Sequence, residues 1–177
     1  MIQVMLVEDH SLMRRTLREI IGAEADMTLV AEATDGQTAV DRAVAARPDV
    51  ILMDIDLPEL SGIEATRAIV GWLPQVCVIM LTVSSAQEDL FESLRAGACG
   101  YITKNAGRDE IVDAIRAGSS GALPLTPAMA SRVLAHFRQL RPATNPERLA
   151  LLSEREREIL TFLAAGLRDK EIAHQLM

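Results

Sequence analysis

The chain has 177 residues, 49% of them hydrophobic and only 3% aromatic, with a formal net charge of -7. That length and composition exclude a disordered chain and allow one well-buried domain plus a smaller piece, its core resting on Val, Ile, Leu, Met and Ala. The charge is uneven: residues 1–120 carry 10 Lys+Arg against 19 Asp+Glu, and residues 121–177 carry 8 against 6. An acidic body with a mildly basic tail points to two modules with different partners.

In chain order, residues 2–7 form a strand-like apolar run ended by Glu8-Asp9. No basic segment precedes this run, so it is not read as a signal peptide. No apolar run reaches the roughly 18 residues of a membrane helix, so no membrane association is expected. Residues 11–23 place Leu12, Met13, Leu17, Ile20 and Ile21 at helical spacing, and 27–33 return to strand. Asp35-Gly36 marks a turn before an Ala-rich helix over 37–46. Pro48 then precedes Val50-Ile51-Leu52-Met53-Asp54, a continuous apolar run that ends in one carboxylate. Such a run reads as a strand buried on both faces.

Ser61 caps a helix running to Trp72, and Pro74 ends it. Residues 76–82 form another apolar strand, 87–96 a helix stopped by Gly97, 100–103 a short strand, and 108–119 a helix closed by Gly118 and Gly121. Five strand–helix units with short connections require a mostly parallel sheet covered on both faces, an α/β doubly wound fold. Cys77 and Cys99 each lie in or beside an apolar segment and are expected as separate buried thiols in a reducing cytoplasm.

The polar residues fall at consistent places. Glu8 and Asp9 follow the first strand, Asp54 ends the third, Thr82 ends the fourth and Lys104 follows the fifth. All lie at carboxyl ends of strands, the edge where α/β sheets bind ligands. Each alone has an ordinary reading: Glu8-Asp9 as a helix cap, Asp54 as a turn residue, Thr82 as a strand former, Lys104 as a solvated charge. Together they describe a site. Three carboxylates forced together need a cation, and oxygen-only ligands favour a hard ion, most simply Mg²⁺. An ammonium and a hydroxyl beside one carboxylate suit a phosphoryl group carried on that carboxylate.

These stretches are Val7-Glu8-Asp9-His10, Met53-Asp54-Ile55-Asp56-Leu57-Pro58 with Gly62, Leu81-Thr82, and Gly100-Tyr101-Ile102-Thr103-Lys104. With them, residues 1–120 resemble a two-component receiver domain. The strand order 2-1-3-4-5 is adopted with that reading. The resemblance implies that Asp54 accepts phosphate from a sensor histidine kinase. It implies Mg²⁺ on Asp9 and Asp54, with Glu8 helping through water and the Asp56 backbone carbonyl completing the set. It gives Lys104 the phosphoryl oxygens or Asp54 as partners, Thr82 a hydrogen bond to the phosphoryl group, and Tyr101 the role of a switch that turns inward when Thr82 moves. Two departures stand out. Val83 occupies a place that is usually small, and Asn105 follows Lys104 where many receivers have proline.

Residues 121–148 read as a linker, with Thr126-Pro127 starting a helix over 127–140 and Pro142, Asn145 and Pro146 loosening the connection. Residues 149–177 hold a capping box, Ser153-Glu154-Arg155-Glu156, then Ile159, Leu160, Phe162 and Leu163, a break at Gly166, and a second helix from Asp169. On spacing alone this is an αα-hairpin. The segments 152–160, Ala165-Gly166-Leu167 and Lys170-Glu171-Ile172-Ala173 resemble the start of a LuxR-type helix-turn-helix, with Arg168 where a Ser or Thr cap is usual. The whole then resembles a response regulator of the NarL/FixJ group, controlling transcription through DNA. A homodimer would form through the face of the fourth helix, fifth strand and fifth helix, or through the linker helix. The 177 residues end before the recognition helix of that family, so this chain is expected to bind DNA weakly or not at all.

Three other readings compete. A receiver acting only as a phosphorylation-dependent interaction module would leave the tail without a role. An aspartate-nucleophile phosphatase would use Asp54-Ile55-Asp56 but leaves Glu8-Asp9 unexplained. A flavodoxin-like FMN carrier needs a phosphate-cradling loop where Glu8-Asp9-His10 would repel one. The receiver is expected to catalyse only its own phosphorylation and dephosphorylation.

Overall fold

The structure is a computed structural model, and it describes residues 1–83, 87–122, 124 and 130–131. Five strands, β1 (Ile2–Val7), β2 (Met27–Ala33), β3 (Val50–Asp54), β4 (Cys77–Thr82) and β5 (Gly100–Thr103), form one sheet in the order β2-β1-β3-β4-β5. Every pairing is parallel. Helices α1 (Ser11–Gly22), α2 (Gly36–Ala46), α3 (Gly62–Trp72), α4 (Gln87–Ala96) and α5 (Arg108–Ser119) make the crossovers. The doubly wound α/β expectation and the adopted strand order therefore hold.

The period-two alternation of a strand divides the core into two layers. On β3, Ile51 and Met53 join Met5, Val7, Val78, Met80 and Tyr101 beneath α2, α3 and α4. Val50 and Leu52 face the other way, with Val4, Leu6, Ile79 and Leu81, against Leu17 and Ile21 of α1 and Ile111, Val112 and Ile115 of α5. All five residues of β3 are buried, as its unbroken apolar run requires. Each such aliphatic side chain contributes about 1.5–3 kcal/mol relative to exposure.

Several local devices fix the edges. Ser61 and Glu64 form a reciprocal capping box at α3. Asp35 caps α2 by accepting from the Thr38 backbone N–H at 2.7 Å. The cap of α1 is His10, whose Nδ1 faces the Met13 N–H at 3.5 Å, so Glu8 and Asp9 are not spent on the helix end. Gly118 lies inside α5 instead of closing it; the left-handed residue past the helix is Gly121, at φ 81°.

Cys77 and Cys99 are joined as a disulfide, not held as separate thiols. The register pairing Ile79 with Gly100 brings the starts of β4 and β5 together, which 22 residues of sequence separation conceal. The helices expected over 127–140 and within 149–177 lie outside the described residues, apart from a helical Ala130–Ser131 step.

Candidate functional site

The three central strands end at one edge, and each delivers a charged or hydroxyl side chain there. Pairing of Val7 with Met53 sets Glu8 and Asp9 beside Asp54. Pairing of Asp54 with Leu81, and of Thr82 with Thr103, carries the line on to Thr82 and Lys104. The Lys104 backbone N–H donates to the Thr82 carbonyl at 2.6 Å, which holds the β5–α5 loop over the site. Among the described residues no peptide bond is cis, so Asn105 follows Lys104 through a trans bond.

Lys104 Nζ donates to Asp54 Oδ2 at 2.7 Å and to Glu8 Oε1 at 3.0 Å, with Glu8 Oε2 at 2.9 Å. Glu8 and Asp54 are almost wholly buried, at 0% and 1% exposure, while the Lys104 side chain is 12% exposed. Asp9 and Asp56 stand at the open mouth. The Asp56 backbone N–H donates to Asp54 Oδ1 at 3.3 Å. Carboxylate oxygens of Glu8, Asp9 and Asp54 all lie within 4.8 Å of one another. Three carboxylates and one ammonium leave a net negative cluster made of oxygen donors, which suits a hard divalent cation with room for water.

The titration of the group follows from this packing. Burial pushes the Glu8 carboxyl up; the Lys104 hydrogen bond opposes that, and the Asp54 charge reinforces it. Burial works against the Lys104 ammonium, but hydrogen bonds and charges from Asp54 and Glu8 outweigh it and hold its pKa above the ordinary lysine range. Lys104 therefore stays protonated across physiological pH.

Thr82 and Tyr101 are 2% and 1% exposed. Burial raises the Tyr101 phenol, and a side-chain hydrogen bond with Thr82 partly offsets the rise. Tyr101 is thus already turned inward onto Thr82. Its backbone N–H donates to the Pro124 carbonyl at 3.2 Å, so the chain leaving α5 lies against the β5 edge. Val83 is 68% exposed, directly after Thr82. Gly62 closes the loop after Asp54: its N–H donates to the Ile55 carbonyl at 2.9 Å, and a Cβ there would fall on the Asp54 carbonyl.

The sequence reading missed Arg14. Its guanidinium donates to the carbonyls of Glu8 and Asp9 at 2.8 and 3.0 Å and fixes the loop after β1. A basic residue in the first turn of α1, one turn past the acidic pair, is the signal that was available. It also missed the direct Glu8–Lys104 pair, which depends on β1 and β5 being brought together across β3 and β4.

Residues 4–116 match the family described as response regulator receiver domain, and residues 150–177 match bacterial regulatory proteins, luxR family. The chain is 39% identical over 176 residues to the transcriptional regulatory protein YxjL of Bacillus subtilis, covering 99% of this chain and 81% of that protein. It is 37% identical over 175 residues to the nitrate/nitrite response regulator protein NarP of Escherichia coli, covering 98% and 80%. Among solved structures, a two-component response regulator of the LuxR family from Aurantimonas aligns with a TM-score of 0.70 at 32% identity, covering 76% of this chain and 96% of that one. Response regulator ChrA of a heme-sensing two-component system aligns at 0.62 and 34% identity, covering 99% and 81%.

Proposed function

The chain belongs to the two-component response regulators that join a receiver to a LuxR-type helix-turn-helix and control transcription, and from that premise we propose that Asp54 is the residue that takes the phosphoryl group. The observation that carries this reading is the Lys104 ammonium 2.7 Å from Asp54 Oδ2, with Glu8 and Asp9 alongside. An Asp54 oxygen attacks phosphorus as the bond to the histidine nitrogen of a sensor kinase breaks, giving an acyl phosphate. Lys104, kept protonated, neutralises a phosphoryl oxygen, and the Thr82 hydroxyl donates to another. Mg²⁺ would be held by Glu8, Asp9, Asp54 and the Asp56 carbonyl, where it neutralises the charge that three carboxylates and a phosphoryl group bring together.

Drawing Thr82 toward the phosphoryl group disturbs its hydrogen bond with Tyr101 and biases the face formed by α4, β5 and α5. That face, or the linker helix, is where two copies would pair. The division into a receiver over 1–120, a linker over 121–148 and a helix-turn-helix beginning at 149 belongs to the same proposal, with DNA as partner of the last part. No helix among the described residues is long and apolar enough to cross a membrane; a cytoplasmic location belongs to the same proposal. The relatives are transcriptional regulators and not ordinary enzymes, and the receiver acts catalytically only on its own phosphorylation and dephosphorylation.

The test is intact mass after incubation with a small acyl phosphate and Mg²⁺. One stoichiometric adduct of about 80 Da, the mass of a phosphoryl group, absent in Asp54→Asn, is the expected result. An adduct that survives in Asp54→Asn, or steady multiple turnover of a phosphate ester, overturns the assignment.

A further inference from the structure

Cys77 opens β4 and Cys99 stands just before β5, with their Cα atoms 5.4 Å apart. This separation lies in the range a disulfide spans without backbone movement. Both backbones are independently fixed. The Cys77 N–H donates to the Asp49 carbonyl at 3.0 Å, and the Cys99 N–H donates to the Val78 carbonyl at 2.9 Å. The pair is therefore preorganised whether or not the sulfurs are bonded. Cys77 is 7% exposed and its Sγ packs so close to α5 that a Cβ at Gly118 would lie 2.6 Å from it. Cys99 is only half-buried. The loop closed by the bond, residues 77 to 99, contains the whole of β4 and α4.

We propose that Cys77 and Cys99 are an oxidant-responsive pair whose disulfide clamps the β4–α4 segment, giving the receiver a second input that is independent of phosphate. The oxidant class is a hydroperoxide. The Cys99 thiol attacks the outer peroxide oxygen, forming a sulfenic acid and releasing the alcohol or water. The Cys77 thiol then attacks the Cys99 sulfur, forming the S–S bond and releasing one water. A dithiol reductant reverses this by two exchanges, returning both thiols and becoming a disulfide itself. The cross-link removes chain freedom from any opened state of the segment, so opening of α4 becomes rarer in the oxidised protein. Its effect on signalling rests on the phosphorylation reading above; the clamp itself does not.

The experiment compares the same protein after hydrogen peroxide and after dithiothreitol. Intact mass should fall by about 2 Da on oxidation and recover on reduction. Hydrogen exchange of the amides in 87–96 should slow roughly tenfold in the disulfide form. Cys99→Ser should show neither change, and should match the reduced protein. Adding the acyl phosphate and Mg²⁺ should then raise α4 exchange in the reduced form more than in the oxidised one. Thiols that oxidise past the sulfenic acid without bonding overturn the proposal. So does a disulfide that dithiothreitol cannot open in the folded protein, or equal α4 exchange in both forms. If the reduced protein takes no phosphoryl adduct, the assignment of Asp54 fails while the mass and exchange comparison still judges the clamp.

Discussion

At Lys104 one ammonium lies within 3.0 Å of two carboxylates that are themselves out of water, and Asp9 adds a third at the mouth. That arrangement leaves uncompensated negative charge, so a divalent cation should stabilise the fold. Saturating Mg²⁺ is expected to raise the unfolding free energy by about 2.7 kcal/mol at a hundredfold excess over its dissociation constant. Thermal melts with and without Mg²⁺ check this, and Asp9→Asn should lose most of the increment. Val83, 68% exposed, directly follows Thr82 and carries a branched side chain. It should hinder the water that hydrolyses an acyl phosphate. The adduct on Val83→Ala is therefore expected to have a half-life several-fold shorter than on the native chain; equal half-lives remove the steric role. Lys104 was legible in the sequence by its place after a strand end, and Val83 only as a departure from the receiver pattern that the chain resembles. Arg14 was marked only as a basic residue one turn past the acidic pair; that it binds backbone carbonyls leaves no mark in residue type.

The helices are held to the sheet mainly by apolar burial, but α5 has an added tie. Arg116 pairs with Asp26 at 2.8 Å and with Glu24 at 2.9 Å, and Arg108 pairs with Glu24 at 2.7 Å, so α5 is fastened to the turn between α1 and β2. Hydrogen bonding to Arg116 holds the Asp26 carboxyl below its usual range, and hydrogen bonding to Arg108 does the same for Glu24. Carboxyls depressed in the folded state add stability above their ordinary pKa and lose it as pH falls through the depressed values. Arg116→Ala should therefore lower the melting temperature at neutral pH, and the difference from the native chain should shrink below about pH 4 and in high salt. A difference unchanged by pH would mean that Arg116 acts by packing its stem. At this scale the sequence located every element in the described residues, because apolar period and Gly/Pro punctuation are local. It did not show that His10 serves as the cap of α1, which leaves Glu8 and Asp9 to the site.

Across the described residues, β3 lies at the centre of the sheet and, like β1 and β4, feeds both core layers. Ile51 and Met53 enter one layer, and Val50 and Leu52 the other. Leu52 is fully buried, so Leu52→Ala should cost about 2–5 kcal/mol in urea unfolding of the receiver. Loss of less than this would mean that the layer beneath α1 and α5 can collapse around the gap. The same strand carries Asp54 at its end, so a fully buried central strand positions the candidate phosphoacceptor.

From residue order alone came the five strand–helix units, the covered parallel sheet and the alignment of Glu8, Asp9, Asp54, Thr82 and Lys104 with strand ends. Those follow from hydrophobic period and from the geometry of crossovers, both short-range properties of a chain. Tertiary structure alone decided the register. A parallel strand takes its neighbours from distant segments, so only the folded sheet shows that Lys104 bridges Glu8 as well as Asp54, and that Cys77 meets Cys99. Contacts between residues 22, 50 or 96 positions apart depend on which strands become neighbours, and no single segment names its partners.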